Sequence, residues 1–273
     1  MKLSAIVLTK NEEKNINRCL ESLDFCDEII IIDDYSTDET ISQIKNIKNK
    51  ILPKLDKTSD NKLEIKIFQK KLNDDFSSQR NFAMEKARGE WILFLDADEE
   101  VSFDLKNEIK KVIEGNNQIK AYYIKRRDFW WGRELKFGEV LKVRNQGLIR
   151  LVKKNSGLWQ GKIHEKFILF SKKFKTAKLK NFINHFPHQS IKEFLKEINF
   201  YSTLRAKELL ENGRKTNIFE ITIFPLAKFL LNYFLYFGFL DGAAGFGYAF
   251  LMSFHSFLVR VKLYQYLIQE KNK

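Results

Sequence analysis

Trp91-Ile92-Leu93-Phe94-Leu95 runs straight into Asp96-Ala97-Asp98-Glu99-Glu100, and this junction constrains the chain more than any other stretch. Five apolar residues without a polar break read as a strand covered on both faces, the kind found inside a parallel sheet. Such a strand delivers Asp96 and Asp98 to its carboxyl end, where open α/β sheets bind their ligands. Two carboxylates separated by one small residue repel each other unless a cation lies between them. Hard oxygen donors with room left for phosphate oxygens suit Mg²⁺ or Mn²⁺. A solvated turn opening a helix would use the same residue types, so the other stretches have to decide.

Strand and helix patterns alternate four times within the first hundred residues. Leu3 to Thr9 is apolar and β-branched, and ends in Lys10-Asn11-Glu12-Glu13, where Asn11 is placed to cap a helix carrying Ile16, Leu20 and Leu23 on one face. Glu28 to Asp33 is a second buried strand. Ser36-Thr37-Asp38-Glu39 has the spacing of a capping box opening a helix through Ile41, Ile44 and Ile47. Residues 48–63, rich in Lys, Asp and Asn around Pro53, read as a solvated connection to a third strand, Leu63 to Phe68. Phe76 to Arg88 is helical, with Gly89 placed to end it before the Trp91 strand. The alternation predicts a parallel, doubly wound α/β sheet. Polar residues gather after three of its strands. No Gly-rich dinucleotide or phosphate loop is among them, so neither a Rossmann cofactor nor an ATPase is supported.

Three of these stretches carry a resemblance. Ala5-Ile6-Val7-Leu8-Thr9-Lys10-Asn11-Glu12, Ile31-Ile32-Asp33-Asp34-Tyr35-Ser36-Thr37-Asp38-Glu39-Thr40 and Phe94-Leu95-Asp96-Ala97-Asp98-Glu99 resemble, in order and spacing, the three signatures of family 2 glycosyltransferases of the GT-A fold. Gln79-Arg80-Asn81 and Ala87-Arg88-Gly89 stand between them as that family has them. Gly161-Lys162-Ile163-His164-Glu165 and Gly238-Phe239-Leu240-Asp241-Gly242 are similar to the branch of bacterial lipopolysaccharide core glucosyltransferases. The resemblance implies a mostly parallel GT-A sheet flanked by helices, a nucleotide-sugar donor such as a UDP-hexose, and Mg²⁺ or Mn²⁺. It makes Asp98 the principal metal ligand and puts Asp96 on ribose or metal. Asp34 would accept from nucleobase or ribose, with Thr9 and Glu13 lining the same pocket, while Asp33 supports the turn. Arg80 can reach a phosphate through a charge-assisted bond, or is a plain surface arginine. An inverting transferase needs a base within reach of the acceptor hydroxyl. Glu165 is the candidate, with His164 orienting it or adding a metal ligand; a structural His-Glu pair is the alternative.

Beyond residue 105, Phe103 to Glu114 is an amphipathic helix and Ile119 to Arg126 a strand. Arg126-Arg127-Asp128-Phe129-Trp130-Trp131-Gly132-Arg133 offers tryptophans on which sugars stack and arginines suited to phosphorylated acceptors; the same residues could simply pack under a lid. Gly147 to Lys153 is another strand, whose Arg150 could answer a phosphate. His185-Phe186-Pro187-His188 reads as a loop with one capping role. Ser190-Ile191-Lys192-Glu193 is a capping box opening a helix that Gly213 ends. Residues 218–240 and 243–259 approach spanning length but are interrupted by Glu220, Lys228, Asn232, Asp241 and His255. They are expected to lie in a membrane interface or to cover a homodimer contact, flanked by Arg260, Lys262 and the Lys271–Lys273 tail, with two true spans as the alternative.

Charge separates the chain. Residues 1–105 carry 16 Lys and Arg against 22 Asp and Glu, a net of −6; the remainder carries 32 against 13, a net of +19. Basic and aromatic residues together describe a protein on an anionic membrane surface. Cys19 and Cys26 lack metal-ligand spacing and are expected reduced in a core, and the N-terminus runs into a strand with no signal-peptide pattern. The expected division is a nucleotide-sugar half at 1–105, an acceptor half at 106–189 and a membrane-associating helical extension at 190–273. The expected activity is metal-dependent inverting transfer of a hexose, glucose for preference, to a membrane glycolipid such as the lipopolysaccharide inner core. The enzyme would sit at the cytoplasmic face of the inner membrane, peripherally attached. Transfer to a polyprenyl phosphate is the enzymatic alternative. A basic nucleic-acid-binding protein is the alternative of another class, and it would leave the acidic loops without a purpose.

Overall fold

The computed structural model describes residues 1–51, 63–115, 118–162, 165–187 and 190–271. The connection expected at 48–63 lies mostly outside them, as do His164 and His188. The chain forms two compact units, one of Met1–Arg126 with Asn145–His185, the other of Arg127–Arg144 with Phe186–Lys273.

The first half of the chain runs β1 (Leu3–Thr9), α1 (Ile16–Glu21), β2 (Glu28–Asp33), α2 (Thr40–Ile51), β3 (Glu64–Gln69), α3 (Phe76–Lys86) and β4 (Trp91–Asp96). There follow β5 (Glu99–Val101), α4 (Phe103–Glu114), β6 (Ile119–Trp130), β7 (Arg133–Leu135), α5 (Leu141–Gln146) and β8 (Leu148–Lys153). Next come β9 (Gly157–Gln160), β10 (Lys166–Leu169) and β11 (Lys175–His185), then α6 (Ile191–Glu211), α7 (Ile218–Leu230) and α8 (Gly242–Lys271).

In the first unit β3, β2, β1 and β4 are parallel and adjacent in that order. Their continuous apolar runs follow from cover on both faces. Ala5, Val7, Ile31, Leu93 and Leu95 pack with Ile16, Leu20, Ile44 and Ile109 of α1, α2 and α4. The alternate residues Ile6, Ile30, Ile92 and Phe94 pack with Ala83 of α3 and with Trp159 and Phe167 of the β9–β10 hairpin. Antiparallel strands extend the sheet beyond β4: β8 pairs it with Leu93 opposite Leu151, β6 pairs β8, and β11 and β5 complete that side. The fold is α/β, with the mostly parallel half where the alternation placed it.

Three local expectations are corrected. Asn11 does not cap the first helix, whose N-cap is Asn15. With a left-handed backbone (φ 56°), Asn11 donates its amide to Ser36 Oγ at 2.9 Å and accepts from the Thr37 amide at 2.8 Å. The Ser36–Glu39 capping box does not form, because the Glu39 amide donates to Glu13 Oε2 at 3.1 Å and the Ser36 amide to Asp33. These polar residues brace the loops after β1 and β2 against each other, a tertiary demand that overrides local capping. Gly89 does not end α3 by a left-handed turn; the helix ends at Ala87 in extended backbone. A Cβ at 89 would meet the Ser4 backbone nitrogen at 2.5 Å, so closeness to β1 requires the glycine. The box at Ser190 forms with both of its reciprocal bonds, and Cys19 and Cys26 are free and buried.

In the second unit, β6 continues past the predicted strand end to Trp130 and turns at Trp131-Gly132 into β7. Trp130 is buried against Phe194 of α6 and Tyr248 of α8, with Trp131 stacked on it at 4.1 Å. The two tryptophans therefore differ: one is core and the other is half-exposed. Ile218–Leu235 and Gly238–Glu270 are long and apolar enough to cross a membrane by length and composition, and only 17% and 33% of those apolar windows is buried in the protein. The polar residues that interrupt the pattern are bonded inside the unit. Asn232 donates to Glu139 at 2.7 Å, Lys228 pairs with Glu139 at 3.2 Å, and Asp241 accepts two backbone amides. Phe, Leu and Ile are left to face outward.

Glu28, fully buried on β2, gives a test of the first unit. It accepts from Ser4 Oγ at 2.6 Å, the Arg88 amide at 2.9 Å and Lys66 Nζ at 3.0 Å. Burial opposes its charge, but the Ser4, Arg88 and Lys66 bonds outweigh this and hold its pKa below the ordinary glutamate range. A lowered folded pKa stabilises the protein above the unfolded-state value and loses that effect as pH falls through the folded one. Glu28→Gln should therefore cost about 1–3 kcal/mol at pH 7. The gap to the natural protein should narrow below about pH 4, measured by urea unfolding across pH.

Candidate active site

The carboxyl ends of β1, β2 and β4 lie side by side, with Thr9 opposite Asp33 and Leu8 opposite Asp96. Asp34 donates its amide to the Thr9 carbonyl at 3.0 Å and accepts from the Leu72 amide at 3.0 Å, and Lys10 Nζ lies 2.5 Å from its second oxygen. Thr9 Oγ1 is buried and has no hydrogen-bond partner among the described residues. Asp33 accepts from the Ser36 amide and, at 3.3 Å, from Gln69, which fixes the turn after β2. Glu13 belongs to the brace between the two loops, its carboxylate on the Glu39 amide.

At the tip of β4 the acids are matched by cations from distant parts of the chain. Asp96 accepts from Arg80 Nη2 of α3 at 2.8 Å and from Arg150 Nη2 of β8 at 2.7 Å, one on each oxygen. Arg150 also donates to Glu99 Oε1 at 2.9 Å, and the Asp96 amide donates to Glu99 Oε2 at 3.0 Å. Arg80 Nε donates to Glu165 Oε1 at 3.0 Å, which brings the loop before β10 to the same point. The Arg80 guanidinium lies over the rings of Trp159 and Phe94, 5.0 and 5.9 Å from their centres, and its Nη1 is buried with no acceptor among the described residues. Asn81, next in sequence, holds the Trp159 amide and carbonyl at 2.9 Å each, so α3 fixes the β9–β10 hairpin that carries Glu165.

Asp98 makes a different contact: its Oδ2 is 3.1 Å from His185 Nε2. The pair exists because β5 and β11 are antiparallel, with Glu99 opposite His185.

Electrostatics follows burial and pairing. Burial opposes the charge on Asp96, yet Arg150 and Arg80 hold its pKa far below the usual carboxylate range. Asp98 is likewise held low, burial being outweighed by His185. Burial wins at Glu99 and pushes it up, against the pull of Arg150. Arg150 is driven above the ordinary arginine value: burial opposes its charge, but Asp96 and Glu99 overcome it.

Of the residues marked in the sequence, Arg80, Asp96 and Glu165 form one network, Asp98 stands beside it, and Thr9 and Asp34 lie along the same sheet edge. Glu13 sits in the loop brace, and His164 lies outside the described residues. His185, read as part of a loop with a capping role, is instead the last residue of β11 and the neighbour of Asp98. Glu99 carries no site role in the sequence reading, and Arg126, offered there among the arginines for a phosphorylated acceptor, instead lies 3.7 Å from Glu99. The His185 pairing had no local signal, since only the β5–β11 register creates it.

A parallel sheet edge with Thr and Asp on one side and an acidic, arginine-matched tip on the other is the arrangement that the GT-A resemblance implies. Residues 4–198 match the Glycosyl transferase family 2 model, and the chain belongs to that family. An uncharacterized glycosyltransferase of Rickettsia felis is 28% identical over 280 residues, 99% of this chain and 92% of the relative. The lipopolysaccharide core biosynthesis glycosyltransferase LpsC of Rhizobium meliloti is 28% identical over 263 residues, 96% and 92% of the two chains. Among solved structures, the mannosyltransferase PcManGT from Pyrobaculum calidifontis, in complex with GDP-Man and Mn²⁺, superposes with a TM-score of 0.55 at 14% identity, covering 96% of this chain and 86% of that one. Staphylococcus aureus TarS 1-349 in complex with UDP-GlcNAc gives 0.50 at 18% identity, covering 97% and 92%. The structures establish the fold, and the family makes the chain a glycosyltransferase.

The Arg150 node is testable without substrate. Arg150→Met removes the shared cation from the buried Glu99 and the partly exposed Asp96, which keeps Arg80, and should cost about 3 kcal/mol in chemical unfolding. Adding Glu99→Gln should recover part of that loss, a coupling that a double-mutant cycle measures.

Proposed function

We propose that the chain transfers a hexose from a nucleoside diphosphate sugar, UDP-linked, to a glycolipid acceptor of the lipopolysaccharide-core kind, with inversion and with the help of a divalent cation. The observation that carries this reading is the Asp98–His185 pair at the tip of β4. Its donor set, one ionised carboxylate and one imidazole nitrogen, fits a transition ion such as Mn²⁺ better than Mg²⁺, which prefers oxygen donors alone. Among the described residues no third His, Cys, Asp or Glu joins them, and diphosphate oxygens and water would complete the coordination. When bound, such a cation would offset the charge that grows on the diphosphate as the sugar leaves.

The chain's own residues do the rest. Thr9 and Asp34 take the nucleoside, the unpaired Thr9 hydroxyl being one available bond. Asp96, with both oxygens on arginines, positions Arg80 and Arg150 towards the diphosphate, and Arg80 Nη1 is the donor left over for a phosphate oxygen. Glu165, oriented by Arg80 Nε, accepts the proton of the acceptor hydroxyl. That oxygen attacks the anomeric carbon from the face opposite the diphosphate, whose bond to the sugar breaks with its electron pair. His164 would orient Glu165 or add a ligand. The likeness to LpsC and the outward apolar surface of α7 and α8 support a membrane-embedded acceptor and peripheral attachment at the cytoplasmic face.

Two sets of variants test the reading. Asp98→Asn and His185→Ala should each remove Mn²⁺-dependent turnover while leaving the thermal unfolding midpoint near that of the natural protein; full activity in chelator would overturn the metal. Glu165→Gln should cut the chemical step at least about a hundredfold with donor affinity nearly unchanged. If donor affinity falls in parallel, Glu165 belongs to the donor pocket. Unimpaired transfer by this variant to a polyprenyl phosphate, which is already ionised, would replace the glycolipid by that acceptor.

A further inference from the structure

We propose that the second unit holds a binding site for the phosphate of an anionic membrane lipid, in the cleft formed by residues 133–137 and 240–241. The cleft has a volume of about 330 Å³ and is lined by Arg133, Glu134, Lys136, Phe137, Leu240 and Asp241. Its walls are fixed. Asp241 is buried and accepts from the Lys136 and Phe137 amides at 2.9 Å each, and the Gly138 amide donates to the Tyr236 carbonyl at 2.8 Å. At Gly242 (φ +64°) a Cβ would come within 3.1 Å of Arg133 Nη1, so the glycine leaves the guanidinium its place. The Gly238–Gly242 stretch thus acquires a purpose: it shapes this cleft.

Both acids that line the cleft already have partners. Glu134 is paired with Arg144 at 2.5 Å and faces Arg127 at 3.7 Å. Asp241 is occupied with backbone amides. The side chains of Arg133 and Lys136, both exposed residues, have no hydrogen bond or ion pair among the described residues. The lining charges are equal in number, Arg133 and Lys136 against Glu134 and Asp241, but both acids are engaged, which leaves a guanidinium and an ammonium to take a phosphate.

The rim chooses between a lipid and a dissolved anion. Leu240 lines the cleft, Phe237 and Phe239 precede it on the same short stretch with their rings in contact, and Trp131 lies two residues before Arg133; each is between 43% and 52% exposed. The same unit also exposes Phe219, Ile223, Phe224 and Leu226 on α7. A site for free phosphate has no use for exposed aromatic rings. At a membrane surface the rings enter the acyl boundary while the cations meet the phosphate layer.

The inference rests on the reading of the acceptor as membrane-embedded, and vesicle co-sedimentation of the full chain tests both separately. Vesicles of phosphatidylcholine alone would be compared with vesicles containing phosphatidic acid or phosphatidylserine. Binding should be tightest with phosphatidic acid. The double variant Arg133→Ala, Lys136→Ala should weaken that binding about tenfold or more, erase the preference over phosphatidylserine, and leave phosphatidylcholine binding and the UDP-sugar thermal shift unchanged. Unchanged binding by the variant, or equal binding to all three vesicles, would overturn the lipid-phosphate site alone. Release of the protein from phosphatidic acid vesicles by millimolar inorganic phosphate would assign the cleft to a free anion and overturn it too. Failure to bind any vesicle, with a dimer in solution, would overturn the membrane reading as well.

Discussion

Carboxylates at the end of a buried strand are unstable neighbours unless cations are delivered to them. Asp96 and Glu99 are bridged by one guanidinium, that of Arg150, and Asp96 is gripped from the other side by Arg80. Ion pairs of this kind are costly to desolvate and more costly to break. The architecture around β4 follows from this requirement. β8 must lie antiparallel beside β4 to bring Arg150, and α3 must run under the β9–β10 hairpin to carry Arg80 to Asp96 and Glu165.

The same geometry divides the tip of β4 into two environments. Asp96 faces arginines and is held ionised by fixed positive charge, whereas Asp98, two residues on, faces a histidine. A carboxylate saturated by guanidinium groups is a positioning element. One beside an imidazole has a partner that can itself bind a metal. Two acids of identical type, alternating along one stretch, are given different surroundings by β8 on one side and β11 on the other.

In the second unit the organising fact is the inward direction of the polar side chains. Asn232, Lys228 and Asp241 break the apolar pattern in sequence, yet each bonds within the unit, and Asn232 and Asp241 are buried there. Hydropathy counts residues along the chain, while a membrane meets only those that point outward.

Local pattern alone determined the parallel half of the sheet, the buried faces of β1, β2 and β4, the Ser190 capping box and the placement of Thr9, Asp34 and Asp96 at one edge. Periodicity and strand-end position are properties of short stretches, and the ordered motifs carried the family with them. What only the tertiary structure decided is the set of partners. The β5–β11 register brings His185, 87 residues away in sequence, to Asp98. The β4–β8 pairing turns Arg150 from a strand residue into the keystone of the acidic tip. Loop-to-loop bonds divert Asn11 and Ser36 from capping, and proximity to Ser4 explains Gly89. Side chains far apart along the chain meet only when antiparallel strands choose their register, and that choice is made by the whole packed sheet, not by the residues that benefit from it.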